Sequence, residues 1–415
     1  MVIRRRFSNV VRLIERCMII LLVLVVVVRC ESKSDVLEGC MAHAPSPTVR
    51  GCPCVSSASH PLRLHMSKKM LLGLTETLPS LVEAKFRSAK ASSSLLFSPT
   101  ELSIIRTSTG IPFQLRFCPS LAKKPLPKLE APTPTPKKHF DPFETPSPDL
   151  HIVDIPTTAP THLLVLNKFP IIAEHFILAT KANKQQTHIL EQDDLEATHA
   201  CLKAWGADSK QKRLFAFFNS GDHSGASQPH RHLQFLPVEH MRDSEAANGW
   251  NLLIDLILSG ESSTDASSRL LQSTSIPFAH FGRRFDGEPT GQQLLGIYDE
   301  LYGLAKDAVN DFIAKNPSAF ALHPTEGGDS PISYNMAMTT AGMVILPRRS
   351  EGTMLKRPDG SEIGFVALNG TTLGGTMMVK HQEEWDVLRS QRGKLESILN
   401  AVGIPKDSDT YKSRV

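Results

Sequence analysis

The segment from Leu214 to Phe235 constrains the fold more than any other part of this chain, because it combines a strand, a loop of small residues and a second strand. Leu214–Phe218 is a compact apolar and aromatic run that predicts a buried strand. Further on, His230, His232 and Gln234 alternate with Arg231, Leu233 and Phe235. Successive side chains of a strand point to opposite faces, so two imidazoles and one amide share a face.

The loop between these strands is rich in small and polar residues: Ser220, Gly221, Ser224, Gly225, Ala226 and Ser227. Its backbone N–H groups can approach an anion closely, because little side chain stands in the way. Neutral histidine is a competent nucleophile near neutral pH. The combination predicts attack by an imidazole on a phosphate, with Gln234 as a non-acidic donor. The alternative is a zinc site of His230 and His232, with His223 or His175 as third ligand.

Helical and strand patterns alternate along the rest of the chain. Apolar spacing predicts helices over Leu190–Trp205, Leu294–Lys315 and Glu383–Leu399. The remaining predicted strands are Leu163–Phe169, Ile171–Thr180, Met336–Leu346, Ile363–Leu368 and Met377–Val379. Strands in pairs joined by short turns, with long helices between the groups, predict an α+β fold with antiparallel sheets rather than a doubly wound parallel sheet.

Three segments lack these patterns. Pro125–Pro148 contains eight prolines and predicts an extended surface segment. Ser259–Ser275 is rich in Ser and Thr and predicts a flexible connection between two lobes, and Ser350–Glu362 predicts a further flexible stretch with a turn at Pro358-Asp359-Gly360. We therefore expect a leader over residues 1–70, an N-terminal domain over 71–258 and a C-terminal domain over 276–405.

The leader differs in composition from the body of the chain. Residues 1–70 hold 11 Lys+Arg and 4 Asp+Glu, a net charge of +7, whereas the rest hold 35 and 38, a net charge of −3. Five of the seven cysteines also lie in the leader. The acidic, cysteine-poor body is not typical of a nucleic-acid-binding surface or a disulfide scaffold.

The leader also contains an apolar run, Cys17–Val28, which follows five arginines. This run is shorter than the roughly 20 residues that span a bilayer, and it has the length of a signal-peptide core. Three interpretations stay open: a signal or anchor, a mitochondrial-type presequence, and translation that begins downstream at Met66 or Met70.

The sequence His230-Arg231-His232-Leu233-Gln234 resembles the motif of the histidine triad superfamily, in the transferase branch that carries glutamine in place of the third histidine. Its surroundings resemble the fungal diadenosine tetraphosphate (Ap4A) phosphorylases, also called ATP adenylyltransferases. The matching segments are Pro119–Pro125, Leu166–Pro170 with Glu174-His175, Asn219–Gly221 with Ser224-Gly225, Pro277–Phe281, Ser333–Met336 and Val344–Arg349. The resemblance includes nothing before Met66, which favours a downstream start and a cytoplasmic location, with a nuclear one as an addition.

The resemblance implies a histidine-triad-like antiparallel sheet with flanking helices in two lobes, similar to galactose-1-phosphate uridylyltransferase. It implies cleavage of Ap4A with inorganic phosphate to ATP and ADP, which is reversible. His232 would attack the α-phosphorus, ATP would leave, and phosphate would release ADP from the adenylyl-histidine. Gln234 would hold a non-bridging oxygen, and His230 would orient the site by hydrogen bonding.

The resemblance also implies the substrate contacts. Lys124, next to Lys123, would meet phosphates, and Leu166 and Asn167 would line the adenosine pocket. The phosphate cradle would comprise Asn219, Gly225, Ala226, Ser227 and Gln228. The far side would comprise Asn369, Gly370, Thr371, Thr376 and Lys380. Two positions depart from the family pattern: Ala226 stands where serine occurs, and Thr376 where methionine is common.

Rival functions remain open at this level. A related hexose-1-phosphate nucleotidyltransferase would share the motif, and a non-catalytic nucleotide- or metal-binding protein would share the loop. A divalent cation, with magnesium expected, would accompany the phosphate charge, and we expect no protein-bound metal site and no organic cofactor. We also expect a monomer that binds Ap4A, ATP, ADP and phosphate but no nucleic acid.

Overall fold

A computed structural model of the chain describes residues 72–120, 140–207, 209, 211–242, 244–260, 270–391 and 393–406. The predicted leader, Lys124, most of the proline-rich segment and the centre of the Ser259–Ser275 connection lie outside these residues. No helix in the described part of the chain combines the length and apolar character needed to cross a membrane.

Fourteen strands form within the described ranges. They are β1 (Glu101–Arg106), β2 (Pro112–Phe117), β3 (His151–Ile155), β4 (His162–Leu166), β5 (Phe176–Thr180), β6 (Leu214–Ser220), β7 (His232–Pro237), β8 (Leu270–Leu271), β9 (Phe281–Arg284), β10 (Ser333–Thr339), β11 (Gly342–Arg348), β12 (Gly352–Lys356), β13 (Glu362–Ala367) and β14 (Thr376–Val379).

Nine of these strands form one antiparallel sheet in the order β3-β4-β5-β7-β6-β10-β11-β9-β8. The pairing of β6 with β10 joins strands from the two predicted domains, so both contribute to one continuous sheet. A smaller sheet has the order β1-β2-β14, with β14 parallel to β2, and β12 pairs with β13. The α+β architecture with antiparallel sheets that the sequence predicts is confirmed.

Seven α-helices occur in the same ranges. They are α1 (Leu78–Ala91), α2 (Gln192–Trp205), α3 (Val238–Met241), α4 (Leu253–Ser259), α5 (Gly291–Lys315), α6 (Gln382–Ser390) and α7 (Lys394–Val402). Local sequence explains where α2 and α5 begin. Glu191 and Asp194 form a capping box at α2, and Thr290 and Gln293 form another at α5, so first-turn N–H groups are satisfied.

The large sheet separates two apolar cores. Leu233 and Phe235 lie in the core that includes residues of α1, α2 and α5. Phe215, Phe217 and Leu346 lie in the other core, with residues of α4, α6, α7 and the small sheet. The side chains of β7 alternate between the two cores. Leu233 and Phe235 point into the first core, so His232 and Gln234 point to the side of the second. The motif of two histidines and a glutamine thus faces the side that the small sheet partly covers.

Predictions for several segments are corrected by the structure. The single strand expected over Met336–Leu346 is a hairpin of β10 and β11, in which Thr339 pairs with Gly342. The turn residues are Thr340 and Ala341, which lack the Asn-Gly or Asp-Gly pair that marks a hairpin in a sequence. The helix expected over Glu383–Leu399 is broken into α6 and α7, and Gly393 at the break has φ +88°. A left-handed residue of this kind interrupts a helix.

The third correction concerns Ser350–Glu362, expected to be flexible. It contains β12 and leads into β13, and Gly360 closes the predicted turn by donating to the carbonyl of Arg357 at 2.9 Å. The strands Leu163–Phe169 and Ile171–Thr180 are shorter than expected, because residues 167–175 form the connection between β4 and β5. That connection places Asn167 and His175 at the site.

Candidate active site

The site lies where β6 ends and β7 begins. These strands pair with Phe217 opposite Gln234, so the loop between them joins the two strands at the same end of the sheet. Gln186 joins the diverging backbones there, since its amide nitrogen donates to the carbonyls of Asn219 and His232 at 2.8 and 3.1 Å. Its oxygen accepts from the N–H of His232 at 2.7 Å. The start of β7 is thereby fixed against the end of β6.

His232 has one defined tautomer. Its Nδ1 lies 2.8 Å from the carbonyl oxygen of His230, and a carbonyl accepts only, so Nδ1 carries the proton and Nε2 the lone pair. Among the described residues none is hydrogen-bonded to Nε2. The ring therefore presents an unprotonated nitrogen on the face of the sheet that carries the motif.

Burial keeps His232 neutral. Its side chain is 3% exposed, and desolvation lowers its pKa to about 4, against the opposing hydrogen bond to His230. Phe143 packs on the ring with a centroid distance of 5.1 Å. A neutral imidazole with a fixed tautomer is the form that a nucleophilic mechanism requires.

His230 has partners on both ring nitrogens. Nδ1 lies 2.7 Å from Oδ2 of Asp141, and Nε2 lies 2.7 Å from the carbonyl oxygen of Thr180. Phe143 meets the His230 ring edge-on at 5.6 Å. The predicted orienting role of His230 therefore has a geometric basis, with its backbone carbonyl bound to His232 and its ring bound to Asp141 and Thr180.

A chain of hydrogen bonds fixes the amide of Gln234. Oδ1 of Asn167 accepts from the N–H of Phe169 at 2.8 Å, so Nδ2 of Asn167 is the donor to Nδ1 of His175 at 3.1 Å. His175 must then carry its proton on Nε2, which donates to Oε1 of Gln234 at 3.1 Å. The amide nitrogen of Gln234 is left as a donor on the His232 face.

Burial of His175 supports this neutral tautomer. Its side chain is 8% exposed, and desolvation lowers its pKa to about 4, with the nearby His232 acting in the same direction. Asn167 therefore acts on Gln234 through His175. Its predicted contact with adenosine remains a prediction.

The phosphate loop packs against the segment after β13. Gly225 has φ +78°, and a Cβ there would lie 2.8 Å from Cβ of Asn369 and 2.9 Å from the carbonyl of Leu368. Only glycine fits this position. Ala226 and Ser227 are exposed and Gln228 is half-buried. The loop thus meets Asn369 with no side chain between them.

Asn219 is the junction of this region. Its Oδ1 accepts from Nδ2 of Asn335 at 2.9 Å and from the N–H of Gly370 at 2.8 Å. With Oδ1 so occupied, Nδ2 is left as a donor. The structure therefore brings the predicted residues Asn219, Gly225, Asn369 and Gly370 together. Thr371 joins them, since its N–H and hydroxyl both donate to Oδ1 of Asn369.

Arg348 is a buried cation behind this junction. Its side chain is 0% exposed, and Nη1 donates to Oδ1 of Asn335 at 2.5 Å. Nη2 donates to the carbonyls of Ser350, Glu351 and Leu368. Desolvation lowers its pKa to about 9. These carbonyls are neutral dipoles, so the guanidinium keeps its positive charge close to the phosphate loop.

Other predicted contacts lie farther from the motif or outside the described residues. Leu166 is 2% exposed, and its pairing through Phe176 to Phe235 puts its side chain on the sheet face opposite Gln234. Thr376 is buried, and its hydroxyl donates to Gln114 at 3.3 Å. Lys380 is exposed just after β14. Lys124 lies outside the described part of the chain.

Sequence reasoning missed several residues of the site. Asp141 and Phe143 lie in the proline-rich segment, and Gln186, Asn335 and Arg348 come from distant strands and loops. Arg348 and Asn335 lie within segments that had matched the family, which was the available signal. No sequence pattern indicated that Asp141 belongs to the site, since a single aspartate among prolines is typical of a turn.

The described residues contain no group of three or more His, Cys, Asp or Glu side chains that could hold a metal ion. His230 and His232 use their Nδ1 atoms for Asp141 and the His230 carbonyl. The three-ligand zinc site considered as the alternative is therefore not formed by these described residues.

Two family models match the chain. The model described as the Ap4A phosphorylase N-terminal domain matches residues 68–251, and the ATP adenylyltransferase C-terminal domain matches residues 274–405. Together they cover more than half of the sequence, and the motif around His232 lies inside the first.

Relatives in Saccharomyces cerevisiae match over most of their length. Protein APA1 is 26% identical over 346 residues, which are 81% of this chain and 97% of that protein. Diadenosine 5',5'''-P1,P4-tetraphosphate phosphorylase 2 is 25% identical over 349 residues, which are 80% and 96%. The crystal structure of yeast Ap4A phosphorylase Apa2 in complex with Ap4A has a TM-score of 0.62 at 24% identity, covering 80% of this chain and 99% of that one. That likeness shows a shared fold.

Proposed function

We propose that this chain, which belongs to the Ap4A phosphorylase family, is a nucleotidyltransferase that splits Ap4A with inorganic phosphate into ATP and ADP. The observation that carries the proposal is the fixed tautomer of His232, whose Nδ1–H is bound to the His230 carbonyl at 2.8 Å. This leaves Nε2 as a free nucleophile beside a glycine-containing loop suited to phosphate.

In the first step, the lone pair of Nε2 of His232 forms a bond to the α-phosphorus of Ap4A. The bond from that phosphorus to the bridging oxygen breaks, and ATP leaves with the bridging oxygen. An adenylyl group remains on Nε2, and the ring keeps its proton on Nδ1. The His230 carbonyl accepts that proton's hydrogen bond throughout and stabilises the positive charge that develops on the ring.

In the second step, an oxygen of inorganic phosphate attacks the same phosphorus. The P–Nε2 bond breaks, its electron pair returns to His232, and ADP forms. No proton has to leave Nδ1 in either step. The two displacements are balanced in atoms and charge, and the reverse sequence would make Ap4A from ATP and ADP.

Two side-chain donors and several backbone N–H groups would bind the oxygens of the transferred group and its neighbours. The amide nitrogen of Gln234 is directed by the chain through His175, and Nδ2 of Asn219 is directed by Asn335 and Gly370. Backbone N–H groups of Gly225, Ser227 and Gln228 would add to them, whereas that of Ala226 donates to Oγ of Ser224 at 3.3 Å. Donors that are fixed before the substrate arrives need no reorganisation during the reaction, so they stabilise the developing charge of the transition state at little cost.

Magnesium would arrive with the polyphosphate in this proposal, because the described residues hold no dedicated carboxylate cluster.

The proposal is tested by following Ap4A labelled in its α-phosphates, with and without phosphate. We expect continued production of ATP and ADP only when phosphate is present. Without phosphate we expect a single burst of ATP, about one per protein, with acid-labile label left on the protein. Production of ATP and AMP in water alone would identify a hydrolase. Absence of turnover and label would leave only nucleotide binding.

A further inference from the structure

Asp141 and His230 form a carboxylate–imidazole contact directly behind the nucleophile. Oδ2 of Asp141 lies 2.7 Å from Nδ1 of His230, whose side chain is 1% exposed. On the other side of the ring, Nε2 lies 2.7 Å from the carbonyl of Thr180 and 3.1 Å from its hydroxyl. The proton content of the ring follows from what these partners can accept.

Each partner of the His230 ring is an acceptor. The Thr180 carbonyl cannot donate, and the single hydroxyl proton of Thr180 is used in a bond to the carbonyl of Ala182 at 2.7 Å. Nε2 must therefore carry a proton. A neutral ring would then need Asp141 to donate to Nδ1.

Asp141 is placed as an acceptor for several donors. Its Oδ1 accepts from the N–H of Phe143 at 2.9 Å, and its Oδ2 accepts from Nδ2 of Asn183 at 3.2 Å. Partial burial raises the pKa of Asp141, but the bonds from His230 and the backbone of Phe143 outweigh it, and the pKa is lowered overall. The carboxylate form is the one that satisfies all three donors, so both His230 nitrogens carry protons.

We propose that Asp141 is a positioning residue of the transfer site, which holds His230 as an imidazolium against Thr180 and so fixes the carbonyl that orients His232. The proposal deepens the function proposed above and rests on it for its kinetic consequence. Phe143, two residues after Asp141, packs on both rings. The segment Asp141–Phe143 thus closes over the motif from outside the sheet.

The His230 charge also bears on the nucleophile. Among the described residues, the titratable groups that act on the two rings include Asp141, from the segment before β3, and His175, from the connection before β5. Arg231 points to the opposite face, where Glu191 and Asp194 bind it. A cation at His230 disfavours a second proton on the adjacent His232 and keeps Nε2 available.

The charge state can be read in the free, full-length protein by long-range proton–nitrogen NMR on labelled histidine. The chain has 16 histidines, so the His230 signal is assigned by its loss in H230Q. At neutral pH we expect both His230 nitrogens to be protonated, and His232 to show one protonated and one bare nitrogen. A neutral His230 in the wild type overturns the proposal without any kinetic measurement, and this readout does not depend on whether D141N folds.

The substitution D141N tests the kinetic consequence of losing the Asp141 carboxylate. An amide cannot accept from both His230 and Phe143, so His230 should become neutral. We expect kcat to fall about 10- to 100-fold, as for loss of a group that orients a catalytic side chain, with KM within about threefold. The control is D154N, which removes a similar carboxylate paired with His151 on β3 and should leave both constants unchanged.

These outcomes separate the two proposals. Unchanged kcat in folded D141N would overturn the positioning role even with a protonated His230. If the wild type fails to convert Ap4A while His230 is doubly protonated, the proposed function fails and the charge assignment stands.

Discussion

Asn335 of β10 donates to Asn219 of β6 at 2.9 Å, and the two residues are directly opposite in the register of these strands. The same Asn219 oxygen accepts from the N–H of Gly370. One side-chain oxygen thus joins the phosphate loop to the C-terminal half, in a place where neither donor reaches water.

The substitution N219A removes this shared acceptor. Two buried donors, on Asn335 and Gly370, lose their partner, and an unsatisfied buried donor costs about 1–3 kcal/mol. We expect a lower free energy of unfolding in urea and a higher KM for Ap4A. N316A, at the exposed end of α5, serves as the control. Wild-type stability in N219A would show that the junction has no energetic role.

The substitution N167D tests the orientation of Gln234. An aspartate in place of Asn167 accepts from Nδ1 of His175, so a neutral His175 loses the proton on Nε2 and Gln234 must turn its oxygen toward the substrate. Loss of one preorganised donor costs about 10²–10³ in kcat. Acid should partly restore kcat, because a doubly protonated His175 donates from both nitrogens. Parallel kcat–pH profiles of the variant and wild type would show that hydrogen bonding from Asn167 through His175 does not orient Gln234.

The substitution H232N tests the nucleophile. We expect Ap4A cleavage to fall by about 10³ or more, as for loss of a residue that forms the covalent bond, while the thermal unfolding temperature stays close to that of the wild type. Protein-bound label should vanish with the activity. H151N, on the edge strand β3, should label normally. Normal turnover by H232N would show that the covalent mechanism is wrong.

Acid should destabilise the protein through three buried histidines. Burial lowers the pKa of His175 and His232 to about 4 and of His280 to about 3, from 6.5. Between about pH 6.5 and 4 the unfolded chain binds more protons than the folded one. The free energy of unfolding should therefore decrease as pH falls through this window, by at most about 1.4 kcal/mol per pH unit for each histidine.

Urea unfolding across the same pH range measures this effect. A midpoint that stays constant from neutral pH to about pH 4.5 would contradict the expectation, since the depressed pKa values require a slope there. The activity of the folded protein should instead be maintained through this window, because His232 remains neutral down to about pH 4.

The substitution G225A tests the close approach of the phosphate loop. Gly225 and Gly287 both have positive φ, +78° and +73°, so alanine costs about 1–2 kcal/mol of backbone strain at either position. At Gly225 the new Cβ also collides with Asn369, whereas at Gly287 nothing lies within 4 Å. G225A should raise KM for Ap4A, and G287A should not. Equal KM values for G225A and G287A would show that the close contact between Gly225 and Asn369 does not contribute to substrate binding.

Much of the site follows from the sequence because its chemistry is local. The alternation of His230, His232 and Gln234 sets one face of a strand, and the loop before it is small for a steric reason. The long helices α2 and α5 follow from apolar spacing and capping residues. Hydrophobic spacing did not predict the two-residue turn between Thr339 and Gly342 or the helix break at Gly393, because it carries no clear signal at either place.

The sequence by itself determined the strand that carries the nucleophile, the loop beside it and the α+β class, because side-chain alternation and local turn chemistry need no distant partner. Only the tertiary structure decided which protons those residues carry. Asp141 meets His230 across 89 positions of the chain, and Gln234 meets His175 across 59. Such contacts form when the sheet and its connections pack together, and they set tautomer, charge and amide orientation, which no local pattern encodes.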